Sequence, residues 1–199
     1  WEIRYPDGEV ITANHLVMPA GEPVILRLTS ADVIHSFWVP RLAGKMDMIP
    51  GHTNRLRLEA DQPGLYRGQC SEFCGAQHAR MLLTVEALPE PEFSRWLSRR
   101  QQFLPPSPAS ETLAQFSTHC GDCHRVSGLT RGLSGGPDLT DIGARPTLGA
   151  GTLTMSEPGA LLRWLQEHRR LKPDNRMVAP PLPAAELSDI AAWLEQLVP

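Results

Sequence analysis

Cys70-Ser71-Glu72-Phe73-Cys74-Gly75-Ala76-Gln77-His78-Ala79-Arg80-Met81 gathers two thiols, an imidazole and a thioether within twelve residues. Donors this soft select copper, zinc or iron–sulfur chemistry. A single blue-copper ion needs one cysteine, two histidines and a weak axial methionine, so the second cysteine is surplus to it. Two bridging thiolates would instead hold two copper ions, with one histidine on each. Only His78 is local, and the best second histidine is His35, within Val33-Ile34-His35-Ser36-Phe37-Trp38-Val39-Pro40. A Cys70–Cys74 disulfide is the plain alternative. Zinc fits less well, because methionine is a poor zinc ligand and a fourth good donor is missing. Met81 by itself reads as a core residue. His15 and His52 have no soft neighbours in sequence and read as surface or structural histidines.

The chain around this segment carries a strand period. Val24-Ile25-Leu26-Arg27-Leu28-Thr29 is short, apolar and branched, and Arg55-Leu56-Arg57-Leu58-Glu59 alternates as a half-buried strand does. Gly64–Gly68 and Met81–Val85 are further strands, punctuated by Asp7-Gly8, Pro50-Gly51 and Pro63-Gly64. Several short strands at this spacing predict a Greek-key sandwich.

Three linked motifs now meet: His35-Ser36-Phe37-Trp38-Val39-Pro40, Gly44-Lys45-Met46-Asp47-Met48-Ile49-Pro50-Gly51, and the cysteine segment. Together they closely resemble subunit II of cytochrome c oxidase, over essentially residues 1–88. The resemblance implies an all-β cupredoxin fold and a mixed-valence dinuclear copper centre, CuA. It implies as ligands His35, Cys70, Glu72 through its backbone carbonyl, Cys74, His78 and Met81. Trp1-Glu2-Ile3-Arg4-Tyr5-Pro6 resembles the end of that family's aromatic segment, which would make Trp1 the residue through which an electron reaches the copper. The alternative is a strand-edge aromatic covering the sandwich.

Cys120-Gly121-Asp122-Cys123-His124 is the c-type haem attachment pattern. Its two thiols can form thioethers with the haem vinyl groups, and His124 follows where a proximal iron ligand is needed. A thioredoxin-like redox pair wants a βαβ context and leaves the histidine unexplained. After His124 the chain offers Met155, Met177 and His168 as a sixth ligand. Met177 lies in Leu171-Lys172-Pro173-Asp174-Asn175-Arg176-Met177-Val178-Ala179-Pro180, which resembles the ligand loop of small class-I cytochromes c. The usual proline directly after the methionine is displaced here by Val178 and Ala179. Met155 reads as a loop residue, and His168 as part of a polar helix face among arginines. Gly135-Gly136-Pro137-Asp138-Leu139 resembles the family loop whose proline carbonyl orients the proximal histidine. Methionine–histidine ligation raises a haem's potential, which suits the oxidising end of a chain.

Organisation follows from these two centres. Residues 1–88 form the copper domain. Residues 89–109 hold a helix, over 91–103 with Phe93, Trp96 and Leu97 on one face, and the proline-rich Leu104-Pro105-Pro106-Ser107-Pro108-Ala109. Residues 110–199 form an all-α, class-I cytochrome c domain. Ser110 is expected to cap a helix carrying Leu113, Phe116 and Cys120, and Ser156 a second with Leu161, Leu162, Trp164 and Leu165. A third, over 184–197, stacks Leu187, Ile190, Ala191, Leu194 and Leu197. The Gly-rich stretch 125–155 is too long to be idle and is expected to wrap the haem.

Charge sets the outer limits. The net charge is −3, and residues 1–109 carry 11 basic and 12 acidic side chains against 8 and 10 in residues 110–199. Neither half is a nucleic-acid binder. No nucleophile–base–orienter set supports hydrolytic or transfer catalysis. A copper domain followed by cytochrome c resembles subunit II of oxidases with a covalently attached cytochrome. That implies electron transfer from a donor cytochrome or quinol-oxidising complex, through haem c and copper, to a membrane-embedded oxidase subunit I. An electron-input subunit of a nitric oxide reductase and a stand-alone carrier are the alternatives; a copper-delivery protein would have no need of a haem. Both centres imply an oxidising location on the periplasmic or outer face of a bacterial membrane. Residue 1 opens mid-pattern without a methionine, so N-terminal membrane spans are expected upstream.

Overall fold

Alternating apolar residues in the first half do become strands in the computed structural model, which describes residues 1–6, 10–132 and 135–199. In chain order they are β1 (Glu2–Arg4), β2 (Ile11–Ala13), β3 (His15–Pro19), β4 (Val24–Leu28), β5 (His35–Trp38), β6 (Met46–Met48), β7 (Asn54–Leu58), β8 (Gly64–Cys70) and β9 (Leu82–Leu88). Helix α1 (Glu90–Gln102) and α2 (Ser110–His119) follow. Next come β10 (Arg125–Val126), β11 (Thr130–Arg131), β12 (Thr147–Leu148), β13 (Leu153–Thr154), α3 (Ala160–Leu171) and α4 (Ala184–Leu194). The expected Asp7-Gly8 turn lies outside the described residues. By contacts the chain divides into two units, Trp1 with Asn14–Ser98, and Glu2–Ala13 with Arg99–Pro199.

The first unit is built on a five-stranded sheet in the order β3-β9-β8-β5-β6, with β4 and β7 paired separately. Strand β9 buries Leu83, Val85 and Ala87 and turns the residues between them outward, the period-2 pattern of a sheet with one covered face. Strand β3, paired parallel to it, is buried along its whole length. Each fully covered Leu or Val, such as Leu58 and Val85, contributes roughly 1.5–3 kcal/mol. This is a cupredoxin-like, sheet-rich unit.

The second unit centres on α2, α3 and α4, whose apolar faces meet in one core of Phe116, Leu161, Leu165, Leu187, Ile190, Leu194 and others. Phe116 and Trp193 meet edge-on at 5.0 Å. Such pairs add about 0.5–1.5 kcal/mol beyond their burial. The unit is helical but not all-α. The stretch from 125 to 155 closes into the small hairpins β10–β11 and β12–β13. The first turns through Gly128, at φ +75°, a conformation that favours glycine. Neither expected serine cap forms: Ser110 is the first helical residue of α2, behind Ala109, and α3 starts after Gly159 at φ +71°. Asp141, fully buried, lies 2.5 Å from Arg100 Nη1 at the end of α1 and accepts from Arg145 Nε at 2.8 Å. A buried carboxylate needs such partners, and losing one typically costs about 3–5 kcal/mol.

Candidate metal centres

Strand alternation places the first cysteine. Along β8 the inward residues are Tyr66, Gly68 and Cys70, so Cys70 ends the strand facing the interior. Phe37 of β5 pairs with Cys70, and His35 lies two residues along the same face. Beyond Cys70 the chain turns at Gly75, φ +117°, and makes one 3-10 turn over His78–Arg80. Cys70 N–H then donates to the Met81 carbonyl at 3.0 Å, which closes the loop on itself.

The closed loop brings all six expected copper donors together. Cys70 Sγ lies 3.7 Å from Cys74 Sγ, 3.8 Å from His35 Nδ1 and 3.2 Å from the Glu72 carbonyl oxygen. Cys74 Sγ lies 3.6 Å from His78 Nδ1 and 3.8 Å from Met81 Sδ. Both cysteines are free thiols, and their separation far exceeds the ~2.05 Å of a disulfide. Burial, and then the hydrogen bond and charge of Cys70, push the Cys74 thiol up to about 11. Two adjacent thiolates in this half-covered site would repel each other, so without a cation the Cys74 thiol holds its proton. A soft metal pair would relieve that repulsion and release the protons on loading. The donor set therefore fits dinuclear copper.

Asp32 is a participant that sequence reasoning missed. Its carboxylate lies 2.7 Å from His35 Nε2, and this hydrogen bond holds Asp32 below its ordinary pKa. The ring must donate from Nε2, which leaves the Nδ1 lone pair facing Cys70. Carboxylates on the far nitrogen commonly fix the tautomer of a ligating histidine. The signal was the Asp-x-x-His spacing.

Trp1 packs beside this cluster. Its ring meets Phe37 edge-on at 5.9 Å and His35 at 6.4 Å, and its Nε1–H donates to the Met81 carbonyl at 3.4 Å. His15 and His52 stand apart from the cluster: His15 is buried against the Glu86 carboxylate at 2.9 Å, and His52 bonds Asn54 at 3.1 Å.

In the second unit, α2 ends where Cys120 and Gly121 both donate N–H to the Phe116 carbonyl. Cys123 and His124 donate to the Cys120 carbonyl, so both free thiols and the histidine lie on one tight turn. His124 Nδ1 donates to the Pro137 carbonyl at 2.8 Å, as the resemblance implied. Burial, outweighing that bond, holds His124 below its ordinary pKa. The imidazole is thus neutral, with its Nε2 lone pair available for a metal. Burial, followed by the charge of Cys123, pushes the Cys120 thiol up to about 11. A Cβ on Gly136 would sit 2.6 Å from the Cys123 carbonyl oxygen and 2.8 Å from the His124 ring. That close approach leaves room for no side chain, and the whole arrangement fits covalent haem c. Gly136→Ala is expected to lose about 1–3 kcal/mol of stability, measured by urea unfolding, and to shift His124. An unchanged midpoint would contradict the packing described here.

Met177 and Met155 both pack against the helical core. The Met155 N–H donates to the Pro146 carbonyl at 3.0 Å, and the Met177 N–H donates to Asn175 Oδ1 at 3.1 Å. His168 corrects its sequence reading. It is 1% exposed, not on a polar face, and its Nε2 lies 3.2 Å from the Met177 carbonyl oxygen. The reason is helical period: Leu161, Leu165 and His168 share the buried stripe of α3.

The fold and these two sites define a class of protein: one that joins a β unit with a copper-fitting donor cluster to a helical unit with a c-type haem attachment turn. Comparison with known families agrees. Residues 7–88 match the family described as cytochrome c oxidase subunit II, periplasmic domain, and residues 111–198 match cytochrome c. The cytochrome c oxidase subunit 2 of Alkalihalophilus pseudofirmus is 35% identical over 204 residues, covering 99% of this chain and 58% of that protein. The subunit of the same name from Bacillus sp. (strain PS3) is 36% identical, covering 89% of this chain and 53% of that protein. A crystal structure of the periplasmic domain of cytochrome oxidase subunit II from Bradyrhizobium japonicum is 31% identical, with TM-score 0.44, covering 51% of this chain and 75% of that one. The chain belongs to the cytochrome c oxidase subunit II family, in the form that carries a fused cytochrome c domain. It spans a little over half the length of the curated relatives.

Proposed function

We propose that this chain delivers single electrons from an external donor to the oxygen-reducing subunit I of a haem-copper terminal oxidase. When bound, haem c and a dinuclear copper centre each take up and release one electron. The observation that carries the reading is the donor cluster at 3.2–3.8 Å around Cys70 and Cys74, in a chain that also holds the Cys120–His124 attachment turn.

His35, Cys70, the Glu72 carbonyl, Cys74, His78 and Met81 would hold the copper pair on a Greek-key cupredoxin frame. Cys120 and Cys123 would anchor haem c in a class-I cytochrome domain, with His124 and Met177 as axial donors. The β frame keeps the copper donors nearly still as charge changes, because Cys70 is fixed by the sheet and the loop is closed by the Met81 carbonyl. The match to a periplasmic domain family supports a location on the outer face of the membrane; no helix among the described residues is long and apolar enough to cross a membrane. We place the membrane anchor in upstream segments.

Trp1 is the residue through which the electron reaches the copper. Its ring lies against His35 and Phe37, and its indole N–H bonds the Met81 carbonyl, so it joins the outside of the cluster to two of the donors. In the fully loaded protein, flash reduction of the haem should be followed by copper reduction at a rate independent of protein concentration. Trp1→Ala should slow that step about tenfold, ~1.4 kcal/mol of barrier, with both metal spectra intact. An unchanged rate removes Trp1 from the route. A rate rising with concentration shows transfer between molecules and contradicts the internal route.

A further inference from the structure

His168 has a task that the reading of the two centres does not assign. It is a titratable side chain only 1% exposed, on the apolar stripe of α3. Nε2 faces the Met177 carbonyl at 3.2 Å, and because a carbonyl can only accept, Nε2 carries the proton. The Met177 N–H is held in turn by Asn175 Oδ1 at 3.1 Å. The Asn175 amide donates back to the carbonyls of His168 at 3.1 Å and Lys172 at 2.6 Å. Both polar backbone groups of Met177 are thus tied by side chains to the end of α3.

Sequence explains why such ties are needed. The residues after Met177 are Val178 and Ala179, so the proline that usually follows the methionine, and would stiffen the backbone there, is displaced. Val178 is 74% exposed. His168 Nδ1 is buried without a partner among the described residues. A buried, unpaired nitrogen is a cost that an apolar residue at 168 would avoid. What the histidine supplies in exchange is a donor aimed at the Met177 carbonyl.

We infer that His168 is the positioning residue for the methionine loop, holding the Met177 backbone by its Nε2–H so that the thioether stays directed at the haem iron. This rests on Met177 being the axial donor. Without the tie, the loop leaves more readily and the sixth position opens to added ligands.

The test uses the haem-loaded chain, with free imidazole as the competing ligand and the far-red methionine-to-iron band as the spectroscopic readout. His168→Leu keeps much of the buried volume but loses the donor; it should bind imidazole about tenfold more tightly and show a weakened band. His168→Gln places an amide N–H near the same point and should stay within about twofold of the parent, as a retained donor predicts. Parent-like imidazole affinity and an intact band in His168→Leu would overturn the inference. Equal loosening in the Leu and Gln variants would overturn it too, since packing alone would then be at work. Should His168→Leu fail to take up haem, nitrogen-15 NMR of the reduced parent decides. A proton on Nε2, slow to exchange, supports the tie, and a proton on Nδ1 alone overturns it. Met177→Ala separates the two readings: if it keeps the far-red band, the axial assignment itself fails, whatever His168 does.

Discussion

Cys74→Ser abolishes the shared-electron copper signal while the β unit stays folded: this is the largest effect the site geometry predicts. Cys74 Sγ is the atom that connects the cluster, within 3.6–3.8 Å of Cys70 Sγ, His78 Nδ1 and Met81 Sδ. A serine hydroxyl is a hard donor and does not replace a bridging thiolate for copper. Bound copper should fall from about two per chain to one or none, and any remaining EPR signal should be that of a single localised ion. Folding should survive, because Cys74 lies in the loop and is only half-buried, whereas Cys70 completes the interior face of β8. Circular dichroism and a thermal midpoint within a few degrees of the parent, a shift of under about 1 kcal/mol, would show it. Two coppers retained in Cys74→Ser would mean that the thiolates do not bridge.

Met177→Ala gives the second large effect. The haem should remain attached, because on the proposed reading Cys120 and Cys123 would hold it and His124 keeps its bond to Pro137. The methionine-to-iron band in the far red disappears, and the reduction potential falls as the thioether is lost. Met155→Ala keeps both. The Met155 N–H is tied to the Pro146 carbonyl within the 125–155 segment. The reverse outcome would move the axial donor to Met155.

Most of this was legible in the sequence, and the reasons differ from site to site. The cluster of soft donors could be read because such side chains are rare and were crowded into twelve residues. The strands could be read because one face of each sheet is covered, so alternation is enforced at β8 and β9 and, in the separate β4–β7 pair, at β7. What escaped were partners whose sequence separation or type hides them. Asp32 is an ordinary polar residue in a bend, and its one mark in the sequence is its place three residues before His35. His168 stands between Glu167 and two arginines, so its neighbours look polar, yet the spacing from Leu161 and Leu165 puts it inside. The caps failed for a local reason. Ser110 is already within α2 and Gly159 starts α3 with a left-handed residue, so neither helix uses a serine oxygen. The short hairpins of residues 125–155 have two-residue strands, too brief to show any period.

As proposed, this chain holds two coppers as one electronic unit and one covalent haem. Copper analysis of the loaded protein combined with EPR tests it most directly. About two coppers are expected for each covalently bound haem, with one unpaired electron whose hyperfine pattern reports two equivalent copper nuclei. One copper per haem, with a signal confined to a single nucleus, would contradict it.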